Sequence, residues 1–151
     1  MKLKLLFFLL ITLSSTVFFT ACEKEVEVLV DSSQPQGAFT ASKSGTIVEQ
    51  NATGSKGAVQ IGTDTKSVQF LKLGTDFVTN LATGTVSVYL STSETFKADP
   101  AKGNPDLRLI GTIARNGEHY FKTDPTVQSK FTHLILWCGS ANVPFGNAKL
   151  Q

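Results

Sequence analysis

Trp137 and Cys138 stand side by side in FTHLILWCGSANVPFGNAKL (131–150). One is the only tryptophan of the chain, the other a thiol far from the only other cysteine, Cys22. Such a thiol can be oxidised to a sulfenate, pair with a partner's thiol, or ligate haem or a metal ion. His119 and His133 are the only histidines that could join it as soft ligands. Strand alternation over 131–138 sets His133, Ile135 and Trp137 on one face and Thr132, Leu134, Leu136 and Cys138 on the other. His133 therefore points away from the thiol, and His119 remains as the candidate second ligand if its strand lies alongside. The apolar setting also allows a plainer role, a small hydrophobe packed beside Trp137, with a pKa raised by burial and little reactivity. Glu94, Asp99, Asn104 and Asp106 offer oxygens to a hard cation, but their spacing matches no EF-hand loop and reads as a solvated turn. There is no GxSxG, HExxH, CxxC or phosphate loop, so no enzymatic signature is present.

The N-terminus reads as an address. Lys2 and Lys4 precede an apolar run from Leu5, and Thr20 and Ala21 lead to Cys22, the layout of a secretory signal over residues 1–21. The ending FFTAC resembles a bacterial lipoprotein lipobox, with Phe19 where leucine is commoner. That resemblance implies cleavage before Cys22 and a diacylglyceryl thioether with N-acylation (palmitate and its kin) on Cys22. Two or more acyl chains make a stable anchor. The expected place is the cell envelope, at the outer membrane of a Gram-negative bacterium, with the membrane as partner through Cys22. Loss of Lys2 and Lys4 leaves twelve basic against twelve acidic residues, so no net positive charge favours nucleic acid.

Residues 22–36 read as the lipidated cysteine and a tether, with an edge strand at Glu25–Val30 as the alternative. Residues 37–151 carry all twelve glycines and no long helical period. Short alternating runs fall at 38–41, 46–50, 58–61, 67–73, 85–92, 107–114, 118–122, 131–138 and 143–150. On 85–92, Val86, Val88 and Leu90 share one face and Ser87, Tyr89 and Ser91 the other. Asn116-Gly117 predicts a two-residue type I′ hairpin between the strands flanking it. Phe96–Asp106 reads as a long loop. About eight to nine such strands predict an all-β fold, an antiparallel β-sandwich or else a small closed β-barrel.

The last strand is similar to the C-terminal signature of the DM13 domain, in which an apolar strand ends in Trp-Cys and a Phe-Gly-x-Ala-x-Leu element follows. Here these are Trp137-Cys138 and Phe145-Gly146-Asn147-Ala148-Lys149-Leu150. GAFTASKSGTIVEQ, VSVYLS and IGTIARNGEHYF resemble earlier parts of the family pattern, so the likeness spans roughly 37–151. It departs at Thr83-Gly84-Thr85-Val86, where the family often has Gly-Pro-Asp-Leu. The resemblance implies a β-sandwich module and a redox or electron-transfer role at Cys138, with Trp137 beside it. The other expectation is a non-catalytic binding or adhesion module, with Cys138 a buried core residue and the Tyr89 face and Phe96–Asp106 loop as its contact surface.

Overall fold

The computed structural model describes residues 31–97 and 103–151. The leader, Cys22, most of the tether including Glu25–Val30, and Asp99 lie outside the described residues. Eight strands form: β1 (Thr40–Glu49), β2 (Gly57–Thr63), β3 (Gln69–Leu73), β4 (Val86–Ser91), β5 (Leu107–Ile113), β6 (His119–Lys122), β7 (His133–Cys138) and β8 (Val143–Lys149). Among the described residues there is no helix, and every ladder is antiparallel. The all-β expectation therefore holds, in a form between sandwich and barrel: one eight-stranded sheet in the order β5-β4-β7-β8-β1-β2-β3-β6.

β1 is the shared strand. Its first seven ladder partners lie on β2, while Val48 and Glu49 at its far end pair with Asn147 and Gly146 of β8. The two runs expected at 38–41 and 46–50 are thus a single strand, interrupted by a register shift between Ala41 and Lys43 that lets it turn from one half of the sheet to the other. The inner faces of both halves build one core. Val59, Ile61, Leu71, Leu73 and Phe77 come from the first half, and Val86, Val88, Leu90, Leu134, Leu136 and Phe145 from the second. All but Phe77, which lies in the connection between β3 and β4, are alternating positions of strands in which one face is buried, and removing a side chain such as Leu71 or Leu136 to Ala costs about 2–5 kcal/mol.

The hairpin expected at Asn116-Gly117 is not formed. β5 pairs with β4 and β6 with β3, so the strands on either side of this dipeptide are the two edges of the sheet. Gly117 does take the left-handed region (φ +90°), but Asn116 does not, as a type I′ turn would require. Both residues instead serve a neighbouring segment: Gly117 N–H donates to the Phe77 carbonyl (2.8 Å), and the Asn116 Oδ1 accepts from Thr79 N–H (2.9 Å). The edges meet side chain to backbone, without a ladder. At Gly111 of β5 any Cβ would lie 2.6 Å from the Phe121 ring of β6, so the close approach demands glycine.

Chain entry is also fixed. Gln36, the last residue of the expected tether, donates its N–H to Asp64 (2.9 Å), and its carbonyl accepts from the Thr65 hydroxyl and N–H at the β2–β3 turn.

Candidate functional site

Cys138 ends β7, paired with Val86 of β4 on one side and Val143 of β8 on the other. Alternation along β7 points it inward with Leu134 and Leu136, and it is fully buried. Its cover is thin. The turn Gly139–Asn142 folds back beneath it, and the segment leading into β4 crosses its end, with Gly139 N–H donating to the Thr85 carbonyl (3.2 Å). Two exposed residues supply the polar atoms over the sulfur: Thr83 Oγ1 at 3.5 Å and Ser140 Oγ at 3.3 Å. The Ala141 N–H donates to Sγ at 3.5 Å. The Ser140 hydroxyl also donates to the Thr83 carbonyl, which ties turn and segment together.

This arrangement corrects the expectation of a raised pKa. Burial does push the thiol up, and it is the largest single influence. It is outweighed by the Ser140 and Thr83 hydroxyls and the Ala141 and Ser140 N–H groups, so the thiol ionises below its ordinary value. The sulfur is sealed from solvent yet only one residue deep, with the Ala141 N–H donating to it and the Thr83 hydroxyl, the acceptor of the thiol proton, free to donate in turn to an anion. Thr83 and Ser140 were not singled out in the sequence. The signal was faint: Thr83 opens the stretch that departs from the family's Gly-Pro-Asp-Leu, and that stretch lies over the cysteine.

The histidines are elsewhere. His119 sits on β6, opposite Leu73 of β3, while β7 lies between β4 and β8, so the neighbouring strand on which a Cys138–His119 pair depended does not exist. The His119 ring stacks on Phe121 and meets Phe77 edge-on, and its Nε2 lies 2.7 Å from the Arg115 carbonyl. His133 faces outward, with Nδ1 2.9 Å from the Thr132 hydroxyl. Among the described residues no three His, Cys, Asp or Glu side chains gather as a metal site. The haem or metal considered for Cys138 therefore finds no second ligand at His119. Of the calcium candidates, Asn104 is engaged by its own loop, with Nδ2 donating to the Lys97 carbonyl and Oδ1 accepting from Asp106 N–H (2.8 Å).

Trp137 is not packed beside Cys138; it lies on the opposite face of the same strand. There it stacks on Phe96 (ring centroids 4.0 Å apart, planes 16° off parallel), and Phe96 meets Tyr89 edge-on at 5.1 Å. The start of the expected loop thus lies down across β4 and β7, and Ile135 on that outer face is fully buried. Tyr89 and Phe96, named separately in the sequence, belong to one aromatic face.

The site falls at the end of a recognisable domain. The model of the DM13 family, described as electron transfer DM13, matches residues 46–150, and the chain belongs to that family. No curated protein and no solved structure matches the chain. The match covers the strands from the middle of β1 to the end of β8, with Trp137-Cys138 and the Phe145–Leu150 element inside it.

Proposed function

We propose that this chain is a lipid-anchored envelope protein whose DM13 domain handles electrons through Cys138. The observation that carries the reading is the cage of Thr83 Oγ1, Ser140 Oγ and Ala141 N–H around an otherwise core-packed sulfur. A cysteine kept only for packing gains nothing from an N–H donor and two hydroxyl oxygens held at its sulfur. The Ala141 N–H already donates to it, and the Thr83 hydroxyl, which accepts from the thiol, can turn its own proton to the sulfur once the thiol ionises. The family's description as electron transfer supports the same role. The thin cover admits a small oxidant more readily than a bulky one. With a peroxide, the thiolate sulfur attacks one oxygen and the O–O bond breaks. The sulfur keeps a hydroxyl as the sulfenic acid, two electrons pass to the peroxide, and its other oxygen leaves as hydroxide or alkoxide. An external thiol then forms a mixed disulfide with release of water, and a second thiol displaces Cys138 as thiolate. The anchor belongs to the same proposal: the lipobox-like FFTAC supports lipidation of Cys22 and an outer-membrane address.

The test is direct. Purified protein is treated with hydrogen peroxide and a sulfenate-trapping dione, and the adduct is located by mass spectrometry. A stoichiometric adduct at Cys138, together with thiolate absorbance appearing below the pH of a free cysteine, is expected. A Cys138 that stays reduced in excess peroxide, and ionises no earlier than a free thiol, would leave it a packing residue.

A further inference from the structure

The outer face of the second half carries a groove that the thiol does not use. It has a volume of about 430 Å³, within the range of small-ligand sites, and is lined by Trp137, Phe96, Pro144, Gln50, Asn147 and Glu94. Three features of the lining define its ligand. Trp137 and Phe96 are held parallel by their own stack, so the two rings that line the groove have a fixed orientation. Gln50 and Asn147 are fastened to the fold through their backbones: Gln50 N–H donates to the Phe145 carbonyl (3.0 Å), and Asn147 sits in register between Val48 and Ile135. Among the described residues no side-chain hydrogen bond takes up either amide, although both residues are half-buried. Finally, the lining contains one carboxylate and no basic side chain.

We propose that this groove binds a neutral carbohydrate, one or two rings of a glycan. A pyranose has an apolar C–H face that lies on an aromatic ring, and a rim of hydroxyls that both donate and accept. Each amide does the same, and the Glu94 carboxylate accepts. An apolar ligand would strip water from the two amides and leave them unpaired. A phosphate or sulfated ligand would meet Glu94 with no cation to balance it. An extended peptide would want a free strand edge, and the groove lies on strands paired on both sides, β7 and β8.

This inference is independent of the redox reading, because Trp137 and Cys138 face opposite sides of the sheet. Trp137 is the only tryptophan, so intrinsic fluorescence reads the groove directly. The experiment titrates the full-length protein, in a detergent without a sugar headgroup, with neutral cello-, xylo-, manno-, malto- and N-acetylchito-oligosaccharides. Saturable quenching or a blue shift by at least one series is expected. Gln50→Ala and Asn147→Ala, each checked for intact near-ultraviolet circular dichroism, should weaken that binding about fivefold to tenfold. Trp137→Phe, followed by calorimetry, should retain weakened binding because an aromatic face remains. No response from any series at concentrations on the order of 10 mM, where half-saturation corresponds to under about 3 kcal/mol of binding, would overturn the proposal. So would amide variants that bind as the parent does, or a sulfated oligosaccharide that outcompetes every neutral one.

Discussion

Asp64 accepts three backbone N–H groups, from Gln36, Lys66 and Val68. These bonds, the Gln36 one foremost, hold its carboxyl below the usual carboxylate value against the opposing effect of burial. Because the folded pKa is the lower one, the stabilisation is complete above the unfolded value and is lost as pH falls through the folded value. Asp64→Asn should therefore lower the denaturant midpoint at neutral pH, and the gap to the parent should narrow below about pH 4. A gap of constant size across that range would mean the charge is not what matters. The sequence could not single out Asp64, since its three donors are assembled by a turn and by a segment 28 residues away. Cys138 is the converse case. Alternation on β7 was enough to turn it inward. Its ionisation depends on two hydroxyls brought in by separate loops, which no spacing rule encodes.

At the scale of elements, nearly every strand was legible, because half-buried strands carry a period of two that survives any topology. Pairing partners were not legible in the same way. Asn116-Gly117 has the composition of a tight hairpin, yet the strands it joins pair with β4 and β3, whose apolar faces hold them more strongly than a local turn can. Gly111→Val tests how closely the resulting edges fit. The new side chain collides with Phe121, and overpacking of this kind costs about 1–3 kcal/mol. Equilibrium denaturation should show that loss, and Phe121→Ala in the same chain should return part of it. If the double variant is no better than the sum of its parts, Gly111 and Phe121 are not in contact.

For the whole molecule, the proposed anchor predicts that Cys22→Ser abolishes incorporation of labelled palmitate and moves the protein from the membrane to the soluble fraction. Label that survives the substitution would place the lipid elsewhere or remove it from the account. The fastening of Gln36 to Asp64 sets where a tether would end. The short link between β5 and β6 joins the two outermost strands of the sheet. Ile113 and His119 are six residues apart, so the chain between them spans at most about 20 Å. Eight strands laid flat would hold their outermost members about 34 Å apart. The link is too short for that sheet ever to lie open: its edges are leashed, and curling is an arithmetic necessity of the connectivity before any side chain is packed.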